Sequence, residues 1–144
     1  MQPIRRIFGL YGDLLERQYH NHLRGYYQWE QLPHAKDWIL YPKNTGSYIG
    51  IDEVALSRGE LYTVPINKEA KGKKGSIIAI IQGPDAQTVC NVLLQMPRRR
   101  RFQAREITLD MAPNMELIAR TCFPVAKRVT DRFHVQQLAF DAVL

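Results

Sequence analysis

The sequence predicts an α/β domain on a mixed sheet, with three antiparallel strands followed by two further strands with helices between them, and an N-terminal helical segment in front. Three observations carry this. Residues 48–54 (YIGIDEV), 60–67 (ELYTVPIN) and 76–83 (SIIAIIQG) are short apolar runs separated only by turn-rich segments, the pattern of an antiparallel meander. Beyond Gly83, stretches of helical period alternate with two more short strand segments, residues 106–111 and 127–131. The first, fourth and fifth strands close on carboxylates: Asp52 with Glu53, Asp110, and Asp131. A charge at the end of a buried apolar run is costly unless it is paired, hydrogen-bonded or bound to a metal. One such case is most simply a strand that has reached solvent; three ask for a shared site.

Composition bounds the partners. The chain has 144 residues, 45% hydrophobic and 24% charged, enough for one core or one domain with an appendage and too apolar for a disordered tail. A formal net charge of +6 favours a polyanionic partner, nucleic acid first. Cys90 and Cys122 lie in amphipathic stretches without ligand spacing, so they read as small buried hydrophobes in a reducing compartment, with no disulfide or zinc site. No run approaches the roughly 18–20 apolar residues of a membrane span, and a cytoplasmic protein with no membrane partner is the expectation.

Taken in order, residues 4–31 place Ile4, Ile7, Phe8, Leu10, Tyr11, Leu14, Leu15, Tyr19 and Leu23 at recurring spacings of three and four, which predicts a helix interrupted near Gly9 or Gly12. Asp13 is the expected N-cap of the second piece, with Glu16 as its capping-box partner. Within residues 17–27 (RQYHNHLRGYY), Arg17 and Arg24 stand among tyrosines, a mixture that suits either a solvated basic face or a phosphate backbone. His20 and His22, two apart, do not share a helical face, which disfavours a metal pair. Pro33 and Pro42 bracket an expected short helix that docks Trp38 and Ile39. The domain boundary is placed in the loop that follows: residues 1–42 as an N-terminal helical segment, residues 43–144 as the main domain.

In the main domain, Pro65 is expected to end strand pairing at Val64, because proline cannot donate to a ladder. The basic turn 68–75 carries Lys71, Lys73 and Lys74. Residues 85–96 predict a helix capped by Asp85, with Val89, Cys90, Val92, Leu93 and Met96 on one side. Pro97 stops it, and Arg98, Arg99, Arg100 and Arg101 form an expected loop, able to grip a DNA backbone if it lies beside an acidic cleft. Pro113 opens the next helix and Pro124 closes it. Residues 132–144 predict a last amphipathic helix burying Phe133, Leu138, Phe140 and Val143.

Three meandering strands, helix, strand, helix, strand, helix is the order of an RNase H-like domain. In that fold the first strand lies between the second and the fourth, which would make neighbours of Asp52 and Asp110. Two close carboxylates repel unless a cation lies between them, and oxygen ligands suit Mg2+ or Mn2+ shared with substrate phosphate.

Four segments, YIGIDEVALSRGELYTV, NKEAKGKKGSI, EITLDMAPNMELIARTCFP and KRVTDRFHVQQLAFDA, resemble the insertion-sequence transposases of the DDE class within the RNase H-like superfamily. The resemblance covers nearly all of residues 38–142, and LERQYHNHLRGYYQW resembles the tail of the DNA-binding region that precedes the catalytic domain. It implies Asp52 and Asp110 as catalytic, metal-binding aspartates, Glu53 and Asp131 as supporting acids, and His134 as a family-marking residue. Asp131 is also the reserve second-metal ligand, with an ion pair to Arg132 or Lys127 as its alternative. The implied activity is two-metal phosphodiester cleavage and strand transfer at transposon ends, with DNA as partner and a homo-oligomer expected. Arg17, Arg24, Lys71, Lys73, Lys74 and the four arginines are the expected DNA contacts.

The family's third acid, a glutamate well beyond the FHV segment, has no counterpart among these residues, Asp141 being too close to match it. This predicts a chain inactive alone, completed by another transposase polypeptide. The alternative is a non-catalytic DNA-binding remnant that regulates a full-length copy.

Overall fold

The computed structural model describes residues 12–19, 25–55, 59–132 and 136. The expected interruption of the first helix, and the placement of Arg24, His20, His22, His134, Asp141 and the apolar positions of the last helix, lie outside the described residues. The chain divides into two compact units, Met1–Lys36 and Asp37–Leu144.

In the first unit, α1 spans Gly12–Gln18. Asp13 lies inside its first turn rather than ahead of it, so it faces the positive end of the helix dipole instead of serving as the expected N-cap. Arg17 is exposed.

The second unit is a six-stranded mixed sheet: β1 Trp38–Leu40, β2 Tyr48–Ala55, β3 Leu61–Asn67, β4 Ala79–Gln82, β5 Glu106–Leu109 and β6 Lys127–Thr130. Their spatial order is β1-β4-β3-β2-β5-β6, compatible with the RNase H-like arrangement expected from the sequence. The meander β2-β3-β4 is antiparallel, and β2 pairs in parallel with β5, and β5 with β6.

Two expectations are corrected here. Trp38–Leu40 is not a helix but an edge strand, antiparallel to β4 with Ile39 opposite Ile80. Its prolines open short 3-10 turns on either side, Leu32–His34 and Pro42–Asn44, so they bracket a strand rather than cap a helix. Nor does the β3 ladder end at Val64. The pairing with β2 continues through Ile51 opposite Pro65 to Ile49 opposite Asn67. The carbonyl of Pro65 accepts from Ile78 N at 2.9 Å, which puts its missing N–H on the β4 side. There the register slips by one residue, from Thr63 opposite Ile81 to Ile66 opposite Ile77, leaving an extra residue on the β4 side. Pro65 thus lies opposite a bulge in β4, where the ladder is already disrupted and its lost donor interrupts little.

Three helices complete the described part of this unit: α2 Ala86–Leu93, α3 Arg98–Arg101 and α4 Pro113–Cys122. Asp85 caps α2 as expected, its carboxylate accepting from Thr88 N at 2.8 Å and Thr88 Oγ1 at 2.7 Å. The arginine run forms a short helix where a loop was expected. Alternation along the strands sends Ile49, Ile51, Thr63, Ile81, Ile107 and Leu109 to one face, where they are buried in a single core with Val89 and Leu93 of α2 and Met115 and Ile118 of α4. Phe123 is fully buried after α4, and the buried Thr63 donates from its hydroxyl to Gly83 O at 2.9 Å. The opposite face is more open, with Tyr48, Val54 and Ile66 all exposed. No helix among the described residues is long and apolar enough to cross a membrane.

Candidate active site

The register brings the acids together. Ile51 of β2 stands beside Leu109 of β5, and Leu109 beside Thr130 of β6. The next residue on each strand line is Asp52, Asp110 or Asp131, so three carboxylates far apart in sequence lie in one row across three parallel strands. Asp131 N donates to Leu109 O at 2.9 Å, holding the third member in line.

All three line one depression of about 130 Å³, together with Gly50, Ile66, Lys68 and Thr108. Glu53 is not among its lining residues. As the next residue on β2, opposite Thr63, it projects to the other face, and adjacent carboxylates in the sequence are therefore separated by the sheet.

Local hydrogen bonds orient two of the acids. Asp52 Oδ1 accepts from Glu53 N at 2.9 Å, and Asp110 Oδ1 accepts from Met111 N at 2.5 Å. Each carboxylate is thus turned by the backbone that follows it. Among the described residues, no group of three or more His, Cys, Asp or Glu side chains is arranged to hold a metal ion. The donor chemistry fits a narrower arrangement. Mg2+ characteristically takes one or two carboxylates and completes its shell with water and substrate phosphate, which a pair of aspartates beside an open depression suits.

The basic residues lie at the other end of the sheet. β3 ends opposite the start of β2, so the turn bearing Lys71, Lys73 and Lys74, all exposed, follows there. β5 also starts opposite the start of β2, which places the arginine helix just before it at the same end. The arginines therefore do not flank the acid row; several residues of strand, at about 3.3 Å each, intervene.

The four arginines are not equivalent. Arg98 and Arg99 are exposed, and Arg98 lies 4.6 Å over the Phe102 ring. Arg100 is half-buried. Arg101 folds back, its Nε donating to Met96 O at 3.3 Å and its Nη1 to Cys122 O at 3.1 Å. It joins the end of α2 to the end of α4, a structural role invisible in a run of four identical letters.

Lys68 is the site residue that sequence reasoning missed. It opens the 3-10 turn Lys68–Ala70 and donates from Nζ to Thr108 Oγ1 at 2.9 Å inside the depression. The signal was Gly50, two positions before Asp52 on the same face, where a strand surrenders a side chain and lets another cross.

The sheet thus sets three aspartates, on or just after adjacent parallel strands, over one shared depression. Residues 49–144 match the family model of the ISL3 type of DDE transposases, described as Transposase. The chain belongs to that transposase family. Comparison with curated proteins found no match.

Proposed function

We propose that this chain carries the acid-bearing sheet of an RNase H-like strand transferase that cuts and joins DNA at transposon ends. The observation that carries the proposal is the row Asp52, Asp110, Asp131 on adjacent parallel strands around one depression. Asp52 and Asp110 are the catalytic pair, with carboxylate oxygens for Mg2+ or Mn2+. A bound ion pair would supply Lewis-acid activation of the attacking oxygen and charge stabilisation of the leaving 3′ oxygen. The backbone N–H groups of Glu53 and Met111 turn the two carboxylates. Asp131 supports them from β6, and Glu53 acts from the other face of the sheet.

Lys71, Lys73, Lys74, Arg98 and Arg99 offer phosphate contacts at the far end of the sheet, and Arg17 and Arg24 are further DNA contacts in an N-terminal segment, residues 1–42. The test is a thermal melt with and without Mn2+ for the unmutated chain, Asp52→Asn and Asp110→Asn. A site occupied at a hundred times its dissociation constant stabilises the fold by about 2.7 kcal/mol. The expected result is a Mn2+-dependent rise confined to the unmutated chain. A rise of equal size in both variants would remove the two-aspartate site.

A second reading, a DNA-binding remnant that regulates a full-length copy, is favoured by the acid row not being drawn together into a group of three that would hold a metal ion, among the described residues. It predicts salt-sensitive DNA binding that is identical in Asp52→Asn, with no divalent-dependent nicking.

A further inference from the structure

Four lysines follow β3 within seven residues, and one behaves differently from the rest. Lys71, Lys73 and Lys74 lie in the exposed turn. Lys68 is exposed as well, but its side chain runs across β2 and reaches β5. Gly50 leaves the crossing open: a Cβ built there would stand 3.3 Å from Ile66 Cγ1, a tight approach, and 3.7 Å from Lys68 Cδ, ordinary van der Waals contact. A side chain longer than a methyl group at position 50 would compete for the track along which the lysine stem lies.

The end of that track is defined. Lys68 Nζ donates to Thr108 Oγ1 at 2.9 Å, and both residues line the depression that holds Asp52, Asp110 and Asp131. An ammonium has three donors, and this partner is a neutral hydroxyl, so the positive charge remains to attract an anion. Thr108 and Asp110 are two residues apart on one face of β5, as are Gly50 and Asp52 on β2. The cation therefore stands one pleat repeat behind the acids, roughly 6.5–7 Å along the strands. That is close to the distance between neighbouring phosphates on a nucleic-acid strand.

We propose that Lys68, steadied by Thr108 and admitted by Gly50, anchors the DNA backbone phosphate next to the one presented to Asp52 and Asp110. The proposal rests on the strand-transfer reading for the identity of its polyanion. It gives the depression two chemically distinct halves. The acids hold one phosphate through a cation, and Lys68 holds its neighbour directly, fixing the strand's register over the acid row.

The test is fluorescence anisotropy of the full chain with a labelled 30-base-pair DNA duplex between about 50 and 200 mM KCl, the range over which phosphate contacts reveal themselves. Each phosphate neutralised contributes about 0.9 to the slope of log affinity against log salt. Lys68→Met is expected to lower that slope by roughly this amount. Thr108→Val, which keeps the charge and removes its hold, is expected to weaken binding several-fold with the slope unchanged; it decides the matter should Lys68→Met fail to fold.

A Lys68→Met slope equal to that of the unmutated chain, or Thr108→Val binding at full strength, overturns the proposal. So does tighter Mn2+ stabilisation of Lys68→Met with DNA binding intact, which would make Lys68 a counter-charge for the acids rather than a phosphate anchor. The Mn2+-induced melting shift separates this from the broader reading. If the shift is missing from the unmutated chain, strand transfer at these acids fails, while the salt slope still judges Lys68.

Discussion

Replacing Arg101 by alanine should destabilise the fold in a way that replacing Arg99 does not. Arg101 donates two hydrogen bonds to the carbonyls of Met96 and Cys122, and its loss leaves both at the half-buried junction of the α2 and α4 ends. Hydrogen bonds from a charged donor are worth roughly 1.5–3 kcal/mol each, but alanine also recovers side-chain entropy and water reaches part of the site, so about 1.5–3 kcal/mol is expected for the whole side chain. For a unit of this size, about 4 °C of melting temperature accompanies each kcal/mol, which predicts a fall of roughly 6–12 °C. Arg99 is exposed, and its removal should stay within about 0.5 kcal/mol of the unmutated chain. Differential scanning calorimetry of the two variants side by side measures both. Equal melting temperatures for Arg101→Ala and Arg99→Ala would refute the clamp, and the four arginines would return to a single class of surface charge.

Two pH-dependent outcomes follow from the helices. Hydrogen bonds from Thr88 hold the Asp85 carboxyl below the usual carboxylate range. A group with a lowered folded value contributes stability above its unfolded pKa of about 3.9 and loses it as pH falls through the folded value. Asp85→Ala should therefore melt earlier than the unmutated chain near neutrality, and the difference should close in strong acid; a gap that persists there would refute the cap as the cause. Burial, with Cys90 alongside, pushes the Cys122 thiol up. Its stabilising contribution is complete below the ordinary thiol value of about 8.5 and is lost as pH rises above it. Both thiols are buried and free, so a thiol reagent should label neither in the native chain at neutral pH and both in denaturant. Rapid native labelling of Cys122 would refute this.

Much of the sheet could be read from the letters because its strands announce themselves locally. Alternating or continuous apolar residues in 48–54, 60–67 and 76–83 with short turns between them leave little room for anything but a meander, and Asp110 was visible as the break that follows β5, whereas the acids expected to end β2 lie within it, its pairing running on to Ala55. What escaped depended on contacts between distant residues. Trp38–Leu40 has no strand signature of its own between its prolines; β4 makes it a strand by pairing with it. Pro65 looked like a stop because the side on which its N–H is missing is a property of three-dimensional register. Arg101 differs from its neighbours only through carbonyls at the ends of two helices. Lys68 was hidden for the same reason: a lysine in a basic turn reads as solvent-facing until the glycine that lets it cross another strand is placed beneath it.

The parallel pairing of β2 with β5 also dictates when the acid row can exist. An antiparallel hairpin closes over a few residues, but Asp52 and Asp110 meet only after residues 53–109 have been looped back, with α2 carried across the face of the sheet. The entropy of closing that loop must be spent before any of its contacts reward it, and non-local parallel pairings are among the slowest steps in chain folding. During synthesis, β2, β3 and β4 can associate as soon as they leave the ribosome, whereas the acids stay apart until β5 has emerged. The carboxylate row is thus a late product of folding: the chain acquires its meander before it acquires the row, and, on the proposed metal-binding reading, a metal-dependent signal in a refolding experiment would report docking of β5 rather than collapse of the meander.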